Sequence, residues 1–138
     1  MHLTPYLFFE GDCFEAMTLY AETLGGTVEG VVRNTDAPRP EDRMPGPDDA
    51  VMNMVLRTDG GTLMGSDAPA EWHSKPQGFR LQLEAGSAQE FDRLQGALGR
   101  NARAVDMPVG ETFWAERFTM FTDRFGTPWM LSFTGAKG

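Results

Sequence analysis

The stretch from Glu111 to Phe133, ETFWAERFTMFTDRFGTPWMLSF, constrains the fold more than any other part of the chain. It reads as a long β-hairpin whose turn is Asp123-Arg124-Phe125-Gly126. Aspartate suits the first position of such a turn because its carboxylate can accept from the backbone two residues on. Glycine supplies the left-handed residue that returns the chain to a twisted ladder. The flanking residues are aromatic and β-prone, which predicts a central hairpin.

The rest of the chain repeats one order of elements. Thr4 to Glu10 reads as a strand. Asp12 follows as a helix cap, with Glu15 completing a capping box. Phe14, Met17, Ala21 and Leu24 make the apolar stripe, and Gly25-Gly26 stops the helix. Thr27 to Arg33 is a second strand. Asn34 to Ala50, with four prolines and five acidic residues, reads as an exposed mobile loop. Val51 to Thr58 is a third strand, and Asp59-Gly60-Gly61 turns it into a fourth, Thr62 to Ser66.

After the connection Ala68 to Gln77, a strand at Phe79 to Ala85 leads to a helix capped by Ser87 and Glu90, with the stripe Phe91, Leu94 and Leu98 ending at Gly99. Ala102 to Val109 is a strand, and the hairpin closes the set. The two caps lie 87 − 12 = 75 residues apart. The predicted fold class is therefore α+β: duplicated βαβββ modules, about 1–67 and 78–138 around the linker 68–77, forming one domain. Curved mixed sheets would surround a cavity, with the helices on the outer face. The 75-residue spacing matches Tyr6 with Leu81 and Phe8 with Leu83, and predicts that this parity packs under the helices. Pro5 and Arg80 would then face the hollow. In the last strand Trp129, Leu131 and Phe133 would pack, leaving Met130 and Ser132 inward.

Charge narrows the partners. Twelve Lys and Arg against twenty Asp and Glu give a net charge of −8, which argues against nucleic acid or an anionic membrane. No apolar run approaches the ~20 residues of a spanning helix, and the N-terminal residues lack the features of a signal peptide. With Cys13 as the lone cysteine, no internal disulfide forms and a cytoplasmic location is expected.

The segments YLFFEGDCFEAMTLYAETLGG, VMNMVLRTDGGTLMGSDAP, GFRLQLEA and TFWAERFTMFTDRFGTPWML resemble the vicinal-oxygen-chelate superfamily of glyoxalase, bleomycin-resistance and extradiol dioxygenase proteins, and within it the PhnB-like branch. The resemblance implies the duplicated fold and a homodimer. Metal-dependent members place His or Glu ligands at four strand positions, which here fall at Pro5, Met64, Arg80 and Met130. None of these is a hard-metal ligand, so neither a metal nor another cofactor is expected. PhnB-like relatives carry His where this chain has Asn53, and Ala115 and Thr119 stand where glycines are usual. Such relatives have also been called ubiquinone-pathway methyltransferases, but no glycine-rich strand-to-helix loop suited to S-adenosylmethionine is present.

Arg80 is the leading ligand-binding candidate, because a guanidinium facing a hollow can clamp a carboxylate or phosphate. The plainer reading is an ion pair with Glu84, Glu116 or another carboxylate. Arg117 shares parity with Thr119, which matches Asn53 across the hairpins (130 − 64 = 66); these side chains converge on one face or are simply solvated. Met64 and Met130 line the cavity or pack the core. Trp114 and Trp72 stack on a planar ligand or, for Trp114, fill the core. Ser66 and Asp67 bond a ligand or cap a turn, and His73 reads as a surface residue.

The functional expectation is metal-free binding of a small molecule. Two alternatives stand beside it: a metal-dependent lyase, isomerase or dioxygenase with a divergent site, and a dimeric module without a ligand.

Overall fold

The computed structural model describes all 138 residues, Met1–Gly138, and the chain divides into two compact units, Met1–Ser74 and Lys75–Gly138. The first runs β1 (Tyr6–Phe9), α1 (Cys13–Leu24), β2 (Thr27–Arg33), β3 (Val51–Thr58) and β4 (Gly61–Asp67). Its mixed sheet has the order β1-β4-β3-β2, with β1 parallel to β4 and the other pairs antiparallel. The second unit repeats the plan with β5 (Leu81–Glu84), α2 (Ala88–Leu98), β6 (Ala104–Gly110), β7 (Arg117–Thr122) and β8 (Pro128–Phe133), in the order β5-β8-β7-β6. The βαβββ duplication is thus present as expected. Neither helix is long and apolar enough to cross a membrane.

In the first unit the expected parity of β1 is reversed. Leu7 and Phe9 are buried, whereas Tyr6 and Phe8 are 39% and 55% exposed on the opposite face. Phe9 packs against Tyr20 of α1, and its ring lies 3.3 Å from where a Cβ on Gly65 would stand, so the bare glycine makes its room. The letters gave no alternation to read, because Tyr6 to Phe9 is apolar throughout. Cross-strand register supplies what was missing. Tyr6 pairs with Met64 and Gln82 with Met130, so matching the hairpins at 66 sets the first strands 82 − 6 = 76 residues apart, not 75.

Helix α1 also turns differently from its predicted stripe. Met17 and Ala21 are buried as expected, but Cys13, Ala16 and Tyr20 share their face. Phe14 points outward, with the Arg33 guanidinium 4.6 Å above its ring. Asp12 makes no side-chain cap, so the predicted capping box is absent. The role passes to a residue distant in sequence. Asp67, buried at the end of β4, accepts from the backbone N–H of Gly11 (3.1 Å) and Cys13 (2.9 Å) through one oxygen, and from Val51 (2.9 Å) through the other. Helix start, third strand and fourth strand are thereby tied at one carboxylate.

The acidic stretch 34–50 is largely exposed, yet it is organised. Buried Asn34 donates to the carbonyls of Met44 (3.1 Å) and Pro47 (2.9 Å) and accepts from the N–H of Met44 (3.2 Å).

The second unit follows its letters more closely. Ser87 Oγ accepts from the N–H of Glu90 at 3.0 Å, and Phe91, Leu94 and Leu98 are buried. Glu90 reaches back to the N–H of Gly86 (2.9 Å), one residue before the cap. Trp129 and Leu131 are buried, paired across the ladder with Phe121 and Thr119 and on the parallel side with Leu81 and Leu83. The hairpin turn is as predicted. Asp123 Oδ1 accepts from Phe125 and Thr127 N–H (both 2.9 Å), Gly126 has φ +93°, and Asp123 Oδ2 holds the Trp129 indole N–H (2.9 Å). The hairpin is shorter than expected, because Thr112 and Ala115 close a turn on each other before β7. That turn pushes Phe113 out to 88% exposure.

Candidate functional site

In the second unit, alternation along β8 leaves Met130 on the sheet face opposite Trp129 and Leu131, and Arg80 lies with it beside a cleft of about 540 Å³. Its lining includes Lys75, Phe79, Asp106 and Thr122. The Arg80 guanidinium is fixed from two sides. One terminal nitrogen donates to the carbonyls of Phe121 (3.3 Å) and Trp129 (3.2 Å), and the other to Asp106 Oδ2 (2.9 Å). Thr122 Oγ1 donates to the same Asp106 oxygen (3.2 Å). The ion-pair reading of Arg80 is therefore correct in kind, with Asp106 as the carboxylate in place of Glu84 or Glu116. Three of the five guanidinium N–H groups are used, which leaves the Nε–H and one terminal N–H without a partner.

Asp106, Thr122 and Lys75 were not picked out from the sequence. A signal was present for Asp106, since aspartate is depleted in strands and here interrupts the run Ala104–Gly110. Lys75 and Thr122 carried none.

Arg117 is not part of this face. It pairs with Asp92 of α2, and Thr119 of the same parity is buried with its hydroxyl donating to the Met107 carbonyl (2.8 Å). The expectation that Arg117 and Thr119 share a ligand-facing surface is overturned by strand parity: odd positions of β7 pair with Leu131 and Trp129, the packed set. Trp114 stacks edge-on with Phe113 and Phe118 on the turn before β7, half exposed and not in the cleft.

In the first unit, Asn53 accepts from the Tyr6 hydroxyl (3.3 Å), and Met64 lies beside Tyr6 in the β1–β4 register. Ser66 is buried two residues further along. Asp67 caps the α1 start, as described, and lines a smaller cleft there. Trp72 is exposed in the connection. His73 is no free surface residue: its side chain is 12% exposed and its Nδ1 lies 2.8 Å from Glu10. A smaller cleft, about 340 Å³, opens at the α1 start between Asp12, Phe14, Arg33 and Asp49.

Cys13 is wholly buried. Burial, followed by the neighbouring Asp67 charge, pushes its thiol well above the ordinary range, so it stays protonated and unreactive. On the surface, the hydrogen bond from Arg57 (2.7 Å) holds the Glu29 carboxyl below its ordinary value.

The metal implied by the resemblance does not fit these residues. Pro5 stands on the wrong parity and only accepts, through its carbonyl, the Met64 N–H (3.0 Å). The open-face neighbours of Met64 and Met130 are Tyr6 and Gln82. Thioethers, a phenol, an amide and a guanidinium make no hard-cation site. No three His, Cys, Asp or Glu side chains gather to hold an ion.

Comparison with known proteins agrees with this fold. Protein YjdN of Escherichia coli K12 is 33% identical over 140 residues, covering 96% of this chain and 95% of YjdN. The crystal structure of PA1353 from Pseudomonas aeruginosa matches with TM-score 0.85 and 37% identity, over 96% of this chain and 97% of that one. The PhnB protein of Bacillus cereus shares the fold at TM-score 0.81 and 23% identity, over 96% and 99%. Residues 2–131 match the profile of the Glyoxalase/Bleomycin resistance protein/Dioxygenase superfamily, and the chain belongs to that superfamily.

Proposed function

We propose that this protein binds a small organic molecule in the cleft beside Arg80, without a resident metal ion, as a cytoplasmic homodimer of the PhnB-like kind. The observation that carries the reading is the fixed guanidinium. Arg80 is oriented by two carbonyls and a carboxylate in the wall of a roughly 540 Å³ cleft that Met130 also lines. Prepositioned polar groups beside apolar surface are what a small-molecule site requires, because they fix orientation at little entropic cost. A soft methionine wall adapts to the ligand's shape.

The test is a thermal-shift screen of purified protein against a library of small metabolites. A ligand at a hundred times its Kd raises stability by about 2.7 kcal/mol. Met130→Trp, which fills the cleft, should remove the shift while leaving the ligand-free melting temperature within a few degrees. Elemental analysis accompanies the screen. The reading expects no stoichiometric metal, and one bound divalent cation per chain would replace it with a metal-dependent reaction.

A further inference from the structure

We infer that the ligand of this cleft is a small organic anion, a carboxylate on a planar apolar body. The inference rests on the reading of the cleft as a ligand site. It is drawn from the local charge, which runs against that of the chain as a whole. The molecule carries a net charge of −8, yet the charged side chains lining the cleft are Lys75, Arg80 and Asp106, a local sum of +1.

Asp106 is already engaged by Arg80 and Thr122 through its Oδ2, so that pair is close to neutral and the net charge left in the cleft is that of Lys75. Lys75 makes no ion pair and is exposed, so its ammonium is available. Arg80 retains its Nε–H and one terminal N–H, both donors from which a carboxylate accepts. At physiological salt, charges beyond about 8 Å are largely screened, so these three groups outweigh the distant acidic surface.

The apolar part of the ligand has its own surface. Phe79 is half exposed at the cleft, and Met130 also lines it. A flat ring fits against an aromatic face and a thioether better than a branched polar body does. An anion anchored at Lys75 and Arg80 therefore places its ring on Phe79 and Met130.

Three probes of matched shape test this: benzoate, benzylammonium and benzyl alcohol, each titrated into the full chain labelled at its methionine methyl groups. The Met130 signal, assigned with Met130→Leu, reports occupancy of the cleft. The expected result is that benzoate moves it, at least tenfold more tightly than either other probe. Lys75→Glu, a change at an exposed position that leaves the fold intact, should weaken benzoate fivefold or more, as should raising the salt. Binding of benzylammonium or benzyl alcohol with benzoate silent overturns the anion inference and leaves the cleft as a ligand site. Benzoate binding indifferent to both Lys75→Glu and salt also overturns it, since charge would then play no part. Silence from all three probes overturns the inference, and an unproductive metabolite screen alongside it overturns the site reading too.

Discussion

At the scale of single residues, two buried aspartates do unlike work from their local letters. Asp123 was legible. Its position before Arg-Phe-Gly announces a turn, and the structure adds the Trp129 indole as a third donor to the carboxylate. Asp123→Ala strands those donors inside the protein, and the expected cost is about 3 kcal/mol or more. Urea denaturation followed by tryptophan fluorescence measures it, and a loss below about 1 kcal/mol would show that water replaces the carboxylate. Asp67 was not legible as a cap, because its partners lie 54 and 56 residues away and no local pattern encodes such a contact. Cys13 gives a pH-dependent consequence. Its folded thiol holds its proton above the ordinary value of 9.0, whereas the unfolded chain releases it there. Stability is therefore expected to fall as pH rises beyond about 9. Cys13→Ala should flatten that part of the profile in denaturation series from pH 7 to 10.

At the scale of elements, strands and helices were readable wherever periodicity or turn chemistry was explicit. The β2 and β3 bounds, the α2 stripe and the Ser87 cap agree with the letters. β1 failed because four consecutive apolar residues carry no parity. Only pairing with β4 decides which side faces the helix. The same strand error put Pro5 in place of Tyr6, and carrying the offset of 66 back from β4 and β8 put Arg117 on the ligand side, whereas the registers match Thr119 with Met54, 119 − 54 = 65 residues apart. Arg80 is reached through strand parity, which sets it with Gln82 and Glu84 on the face opposite Leu81 and Leu83. Asp106, its partner, is set by bulged pairing between β6 and β7, which sequence spacing does not reveal. Close approach between elements gives a further expectation. A Cβ on Gly26 would lie 2.8 Å from the Arg57 carbonyl and from the Leu56 and Thr58 side chains. Gly26→Ala should therefore destabilise the protein by about 2 kcal/mol through overpacking, read as a lower urea midpoint with an unchanged slope.

At the scale of the whole molecule, duplication was visible as element order, and the resemblance to the superfamily was carried by the matching segments. Letters alone did not fix the offset between halves. Loops of different length intervene, so it is 76 at the first strands and 88 − 13 = 75 at the helices. The proposed homodimer belongs to this scale. Within the second unit Val105, Val109 and Phe113 stand well exposed, apolar side chains that a second copy would cover. Light scattering at micromolar concentration should return twice 15.3 kDa, and a mass of one chain would remove the claim. Because a single carboxylate at Asp67 receives the amides of Gly11, Cys13 and Val51, the entry to the helix and the exit from the acidic loop share one fastening. Removing that carboxylate would release both at once, because each would lose the same acceptor.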